Sequence, residues 1–166
     1  FSGLAYKVND DGVTCTVTGI GNCTDQEIHI DTVDGYKVTA IGNRAFDGCE
    51  ALTKITLGET VISIGESAFA SCKGLTEMVI PDTVTTIGHS AFYGCSNLAS
   101  ITVPFVGATL GDTFYTSFES IFGNFGPPNA LKTVVITTGT TIADYAFQGC
   151  GSLENIILPD TLETIG

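Results

Sequence analysis

Residues 75–97, LTEMVIPDTVTTIGHSAFYGCSN, decide the fold of this chain. The stretch opens on a short β-rich run in which Leu75, Met78 and Ile80 can face one side. An Ile-Gly step and an Ala-Phe step follow at Ile87 and Phe92, and a cysteine comes three residues later. A unit of 23 residues cannot bury this many apolar side chains by itself. The stretch therefore predicts neighbouring units of the same kind.

The same columns recur along the chain at a nearly constant interval. Leu52, Leu75 and Leu98 are 23 residues apart (75 − 52 = 23 and 98 − 75 = 23), and Leu131 and Leu153 are 22 apart (153 − 131 = 22). The later columns repeat as well: Ile41-Gly42, Ile64-Gly65, Ile87-Gly88 and Ile165-Gly166; Ala45-Phe46, Ala68-Phe69, Ala91-Phe92 and Ala146-Phe147; Cys49, Cys72, Cys95 and Cys150. If the coils stack about 4.8 Å apart, residues of the same column lie on top of one another, and the backbone groups of neighbouring coils are hydrogen-bonded to each other.

We therefore predict a mainly β fold, a right-handed β-solenoid of about 23-residue coils with short strands and short helical turns. The coils are expected near residues 25–51, 52–74, 75–97, 98–130 with an insertion, 131–152 and 153–166, the last incomplete. Residues 1–24 lack the repeat, and two β-rich runs there flank the turn cluster Asn9-Asp-Asp-Gly12. This pattern predicts an N-terminal β-hairpin cap over the first coil. Because the last coil stops before its Ala-Phe step, we expect the natural protein to continue.

The charge balance narrows the classes of partner. Six basic residues oppose 18 acidic ones, and the formal net charge is −12. Such a chain repels phosphate backbones, so we expect no nucleic-acid partner. No window approaches the run of about 18 apolar residues that a membrane helix needs, so we expect no direct membrane insertion of this segment.

The six cysteines first indicate a disulfide framework. However, Cys49, Cys72 and Cys95 occur once per coil at one column, where their side chains would run parallel instead of facing each other. We expect them to be free, buried thiols. Cys15 and Cys23 lie outside this column in the cap, and a disulfide between them stays open as an alternative.

No set of residues with catalytic spacing is found. His29 and His89 belong to different coils, each without a matched nucleophile and acid. The outward carboxylates Glu77 and Glu154 are more than one coil apart. Zinc-ligand spacing and phosphate-binding loops are missing. We predict no enzyme, no catalytic residues, no cofactor and no metal.

One coil is interrupted by an aromatic insertion. Leu98 and Leu131 are 33 residues apart (131 − 98 = 33), ten more than the repeat, and residues 104–128 hold Phe105, Phe114, Tyr115, Phe118, Phe122 and Phe125. Counting back from Leu131 places Phe125 at the column of Phe92 (131 − 125 = 98 − 92 = 6). We therefore expect Phe125 to fill the core, and Pro128 to replace the cysteine.

For Phe114, Tyr115 and Phe118 two interpretations are open. The rings fold back over a widened coil, or part of them is exposed to contact a partner, as insertions in solenoids often are.

Outward strand positions define two columns that would form an exposed ribbon. The columns are Thr56, Val79, Thr102, Val135 and Ile157, and Lys54, Glu77, Ser100, Thr133 and Asn155. Sheet propensity alone would also select Thr and Val there. Our candidate partner-binding residues are Thr102 and Val135 on this ribbon, together with Phe114, Tyr115 and Phe118 of the insertion.

The columns, written Leu-x-x-Ile-x-Ile-Pro-x-x-Val-x-x-Ile-Gly-x-x-Ala-Phe-x-x-Cys, resemble the BspA-type (Treponema pallidum-type) leucine-rich repeat family over about residues 25–166. The cysteine closes the helical turn, unlike the ordinary leucine-rich repeat. The resemblance implies a bacterial cell-surface or secreted, extracellular protein, and for some members adhesion to host or bacterial surface proteins.

The leading hypothesis is a non-enzymatic protein-protein (adhesion-type) interaction module, with a protein ligand or else a glycan as partner. A passive spacer or stalk within a larger surface protein is the alternative. A carbohydrate-binding module or an enzyme is a less favoured alternative.

Overall fold

The structure, a computed structural model, describes residues 3–107 and 117–166. Its main feature is a parallel sheet of six strands, one from each coil, which we call the long sheet. Its strands, in spatial order, are β3 (Glu27–Ile30), β6 (Lys54–Leu57), β8 (Glu77–Val79), β10 (Ser100–Val103), β11 (Thr133–Ile136) and β13 (Asn155–Ile157). Sequential coils therefore lie side by side without crossing, which confirms the predicted solenoid.

Shorter strands form a second side of the coils. A second sheet contains β1 (Ala5–Val8), β2 (Thr14–Gly19), β4 (Thr32–Val33), β5 (Tyr36–Ile41), β7 (Ser63–Ile64) and β9 (Thr86–Ile87), and β12 (Thr141–Ile142) pairs with β14 (Thr164–Ile165). β1 and β2 form the antiparallel hairpin expected from the sequence. β2 also pairs in parallel with β5, with Val17 opposite Ile41. The hairpin thus supplies the first rung of this side.

The Ala-Phe turns form a third side, the turn stack, which comprises residues 42–49, 65–72, 88–95 and 143–150. Its backbone N–H groups donate to carbonyls of the next coil: Phe46 N to Ala68 O at 2.7 Å, and Phe69 N to Ala91 O at 2.8 Å. The residue before each alanine has a left-handed φ, between 52° and 59° at Arg44, Ser67, Ser90 and Tyr145. This conformation occurs mostly at glycine, so its recurrence shows that the ladder imposes it.

The predicted core columns are confirmed. Leu75, Met78, Ile80, Ile87 and Phe92 are at most 1% exposed. Phe46, Phe69 and Phe92 stack with ring centroids 5.5 Å apart at each step. One apolar cluster extends from Leu4 in the cap to Cys150 in the fifth coil.

Close packing of the coils explains the Ile-Gly step. A Cβ added at Gly88 would lie 2.3 Å from the backbone nitrogen of Glu66, and one at Gly65 would lie 2.6 Å from that of Asn43. No side chain fits there without moving a neighbouring coil. The glycine column is therefore a consequence of how closely successive coils approach.

A threonine column, which the sequence analysis overlooked, ties successive coils on the turn after the long strand. The hydroxyls of Thr60, Thr83 and Thr161 donate to carbonyls of the preceding coil, those of Val38, Val61 and Gly139, at 2.7–2.8 Å. These threonines stand one residue before the repeated Val or Leu. Their alignment was visible in the repeat.

The insertion changes the phenylalanine column in a way that counting did not predict. A 3₁₀ helix, Phe118–Phe122, carries two buried rings. Phe122 packs on Phe92 with centroids 6.3 Å apart, and Phe118 packs on both Phe122 and Phe147 at 5.3 Å. The widened coil thus uses two rings where other coils use one.

Our expectation that Phe125 fills the core is wrong, since Phe125 is 85% exposed. The ten extra residues are divided: seven precede Phe122 (122 − 98 = 24 against 92 − 75 = 17), and three follow it (131 − 122 = 9 against 98 − 92 = 6). Counting from Leu131 assumed that all ten came first. The substitution by Pro128 agrees with the structure, because its carbonyl accepts from Leu131 N as that of Cys95 does from Leu98 N.

All six cysteines are free, so Cys15 and Cys23 are not bridged. The thiols of Cys72 and Cys95 donate to the carbonyls of Phe46 and Phe69 at 3.2 and 3.1 Å. Burial raises the pKa of Cys72 far above its usual range and that of Cys95 to about 12. Cys72 and Cys95 are therefore neutral donors that hold one coil to the preceding one, whereas Cys150 donates to Gln148 O within its own coil and Cys49 is partly exposed, which corrects its expected burial.

We expect Phe122→Ala to lower the free energy of unfolding by about 3–5 kcal/mol, because it removes a buried ring from the column. Phe125→Ala, its matched control, should change the free energy by less than about 0.5 kcal/mol. Urea titration monitored by circular dichroism measures both. Equal losses, or a larger one at Phe125, would contradict the assignment of Phe122 to the core.

Thiol alkylation should separate the cysteines by burial. At about pH 8 iodoacetamide should label Cys23, which is partly exposed, well before Cys72 and Cys95, whose raised pKa and burial keep them neutral and covered. A rise to about pH 9.5 should not bring Cys95 into the fast class, since its thiol stays protonated there. Peptide mass spectrometry reads out each site, and urea-unfolded protein, in which all six label, is the control. Rapid labelling of Cys95 in the folded protein would be the contrary result.

Candidate functional site

The ribbon on the long sheet has the register that the sequence predicts. Thr102 lies opposite Val79 on one side and Val135 on the other, and Val135 lies opposite Ile157. Thr56 is paired with Val79, which completes the column. The second column runs in the same register, with Ser100 between Glu77 and Thr133. Outward side chains of five coils therefore form two straight rows.

The first strand lengthens the ribbon by one coil. Glu27 pairs with Lys54 and His29 with Thr56, and all four are exposed. Exposure varies along the ribbon: Val79 is 49% and Ile157 53% exposed, while Thr102 and Val135, which lie between them, are half-buried. The surface carries mainly β-branched and small polar side chains, with Lys54 beside the acidic positions. It offers a flat face on which a partner could make many modest contacts.

The predicted aromatic part of the site is corrected by the structure. Phe118 is 1% exposed, because it fills the space between Phe122 and Phe147. Of the two interpretations, folding back over the widened coil therefore holds for this ring, and Phe118 is not available as a partner-binding residue. Phe114 and Tyr115 lie outside the described residues. The partner-binding role of Thr102 and Val135 stays a prediction.

Sequence reasoning missed the aromatic side chains that are exposed. The ring of Phe125 lies against that of Tyr93 of the turn stack, with centroids 6.1 Å apart, and Tyr145 of the turn stack is 77% exposed. Tyr93 follows Phe92 directly, at a column that holds Asp47, Ala70 and Gln148 in other coils. A single aromatic residue in a column that otherwise holds polar or small residues could have indicated an exposed ring.

One contact between a serine and a histidine could be read as part of a nucleophilic site. The hydroxyl of Ser90 lies 2.9 Å from Nδ1 of the adjacent His89, and both face the turn side. No carboxylate of the described residues hydrogen-bonds to that imidazole, so a Ser-His-acid arrangement is not formed there. Within residues 3–107 and 117–166, no three His, Cys, Asp or Glu side chains come together as metal ligands would.

A shallow groove of about 410 Å³ lies where the cap meets the first coil. It is lined by apolar, thiol and acidic groups, among them Ile20, Cys23, Asp25, Cys49 and Glu50. Burial, and then the carboxylate of Asp47, raise the pKa of Cys49, which makes that thiol a poor nucleophile. Separately, no helix in the part of the chain described by the structure is both long and apolar enough to span a bilayer.

Comparison with known proteins agrees with this geometry. The family model for the BspA type leucine rich repeat region matches residues 21–122 and 119–166, with six copies of the repeat. No curated protein matches the chain.

Three solved bacterial structures are similar. The leucine-rich repeat protein of T. pallidum has 25% identity and a TM-score of 0.64, covering 99% of this chain and 83% of that one. A leucine-rich cell surface protein from Faecalibacterium prausnitzii has 28% identity and a TM-score of 0.61, covering 98% of this chain and 43% of its own. A leucine-rich repeat protein from Eubacterium ventriosum has 23% identity and a TM-score of 0.65, with 93% and 40% covered, and shows the fold alone.

The chain thus spans less than half of the second and third of these proteins. Leucine-rich repeats commonly act as protein-interaction modules. Because six repeat copies match over nearly the whole solenoid, the chain belongs to the BspA-type leucine-rich repeat family.

Proposed function

We propose that this chain is a non-enzymatic protein-binding module of a bacterial cell-surface or secreted protein. The observation that carries the proposal is the ribbon, where six strands hold outward side chains in register from Glu27 to Ile157. Such a face is rigid before a partner arrives, so little conformational entropy is lost on binding. Thr102 and Val135 lie near its centre, where contacts that exclude water contribute most.

The extracellular location is part of the same proposal. It is supported by the family and by the similar structure from Faecalibacterium prausnitzii, which is a leucine-rich cell surface protein. The net charge of −12 favours basic or neutral partners over anionic surfaces. The ligand we expect is a surface protein of a host or of another bacterium.

A passive spacer is the second candidate. The observation in its favour is the continuous core, which runs through the coils as one cluster and makes a stiff rod. A spacer needs no exposed binding residues, so the two functions differ in how they respond to substitutions on the ribbon.

The test is binding of the purified chain to an array of extracellular-matrix proteins, bacterial surface proteins and glycans. We expect at least one protein to be bound, and the double variant Thr102→Arg/Val135→Arg to weaken that binding by at least about tenfold, because two bulky cations disrupt the centre of a flat contact. Thr86→Arg on the short-strand side is the matched control and should bind normally. Thermal unfolding verifies that all variants are folded.

Two outcomes would contradict the proposal. If no protein is bound at high micromolar concentration, the spacer is the better account. If a protein is bound equally by the double variant and by Thr86→Arg, the ribbon is not the binding face.

A further inference from the structure

The first coil is open on the side that faces the cap. The second and third coils are each hydrogen-bonded to the coil before them on the long sheet, on the short strands and on the turn stack. The cap supplies the first coil with only one of these ladders, because β2 pairs with β5. On the long sheet β3 is the last strand, and it pairs with β6 alone. Among the described residues, no strand is therefore added to the outer edge of β3.

The hydrogen bonds to the second coil show which backbone groups lie free along this edge. Gln26 O accepts from Thr53 N of the second coil at 2.8 Å, and Ile30 O accepts from the same coil at 2.7 Å. Because successive residues of a strand direct their N–H and C=O groups to opposite edges, those of Glu27 and His29 point away from the second coil. Within residues 3–107 and 117–166 these groups have no hydrogen-bond partner. Such a row of unpaired groups is a template for a further strand.

The turn stack is open at the same end of the molecule. Carbonyls of the second coil accept hydrogen bonds from the first coil at Glu66 and Ala68. Their equivalents 23 residues earlier, Asn43 and Ala45, receive no such bond from the described part of the chain. The groove of about 410 Å³ lies at this junction, lined by residues 20 and 23–25 before β3 and by residues 48–52 of the first coil. It leaves room for a polypeptide at the start of β3.

The charge along the β3 edge is negative. Asp25 and Glu27 are both exposed, and they lie two residues apart, on one face of an extended chain. Neither carboxylate takes part in an ion pair within the described residues. Lys54 lies opposite Glu27 on β6, which is the side of β3 away from the edge. A strand added at the edge is therefore favoured when it carries basic side chains, since oppositely charged cross-strand neighbours attract.

We propose that the outer edge of β3 binds an extended, basic segment of a protein partner, which adds a seventh strand to the long sheet. Main-chain hydrogen bonds to Glu27 and His29 provide the affinity, and Lys or Arg side chains beside Asp25 and Glu27 provide the selectivity. A glycan offers no alternating row of N–H and C=O groups to match the edge. The added strand continues the ribbon by one rung, so this inference deepens the proposed function and rests on it.

The experiment uses the peptide acetyl-Ser-Lys-Val-Lys-Val-Thr-Ser-amide in NMR titrations of the ¹⁵N-labelled chain. The backbone amide signals of Glu27 and His29 should shift, and those of Val135 should not. The matched probe is the same peptide methylated at its four Lys and Val backbone nitrogens, which keeps the charge but removes the N–H donors. It should bind at least about tenfold more weakly.

Variants of the chain test the two parts of the site separately. His29→Pro removes the N–H that points to the edge and should weaken peptide binding by about tenfold, whereas His29→Ala keeps that N–H and should bind normally. Glu27→Gln removes one charge and should weaken binding by about threefold. Thermal unfolding verifies that each variant is folded. If His29→Pro does not fold, the methylated peptide tests the same hydrogen bonds on the wild-type chain.

Three results would overturn the inference. The amides of Glu27 and His29 do not shift at millimolar peptide, or the methylated peptide binds as well as the unmodified one. The third is a dimer in sedimentation that His29→Pro makes monomeric, since a second copy of the chain would then occupy the edge.

Failure at the edge is distinguishable from failure of the proposed function. A protein bound on the array, weakened by Thr102→Arg/Val135→Arg but unaffected by His29→Pro, would leave the ribbon proposal intact and contradict the edge. Peptide binding at β3, with no protein bound on the array, would contradict the ribbon proposal alone.

Discussion

Each coil depends on the next one for its hydrogen bonds, and this dependence shapes the whole molecule. Backbone groups of one coil pair with the following coil on three sides: the long sheet, the short strands and the turn stack. A coil alone would leave these groups unpaired and its apolar side chains in water, which costs more than so short a unit can recover. Register is therefore not free to slip. The repeated columns of the sequence are the result of this requirement.

The same requirement explains side chains that otherwise look unrelated. Gly88 is small because Glu66 of the preceding coil lies too close for a Cβ. Thr83 reaches back to the carbonyl of Val61, and Cys95 to that of Phe69. The buried thiol of Cys95 thus finds its partner in the neighbouring coil, so it adds no unpaired donor to the core.

The sequence predicts much of this fold because the copies of the repeat can be aligned with one another. Strand register, the inward columns and the ribbon all followed from one interval, and the hairpin followed from a turn cluster between β-rich runs. The same interval did not predict which phenylalanine of the insertion lies in the core. Phe118, Phe122 and Phe125 are chemically identical, and only three-dimensional packing distinguishes the ring that continues the column from the ring in water.

For the site, the sequence predicted the positions on the ribbon but not which aromatics are exposed. Exposure of Phe125 results from three extra residues after Phe122 and from the Gly123–Gly126 turn, neither of which is set by the interval between leucines. The sequence predicts the nature of the partner less well than it predicts the positions on the ribbon. Flat rows of Thr and Val serve both as good sheet surface and as a contact surface, so composition alone does not separate the two.

The central claim is that the stack runs without a break through the interrupted coil. Among the hydrogen bonds that join that coil to its neighbours are one on each side of the insertion: Phe92 N donates to Ile121 O at 2.8 Å, and Phe118 N donates to Ala146 O at 2.7 Å. Native-state amide exchange measured by NMR tests them directly against Phe69 N, which donates to Ala91 O between two regular coils. We expect protection at Phe92 and Phe118 within about tenfold of that at Phe69. Exchange of Phe92 and Phe118 at the rate of an unfolded chain, while Phe69 stays protected, would show that the insertion divides the solenoid and would contradict the account.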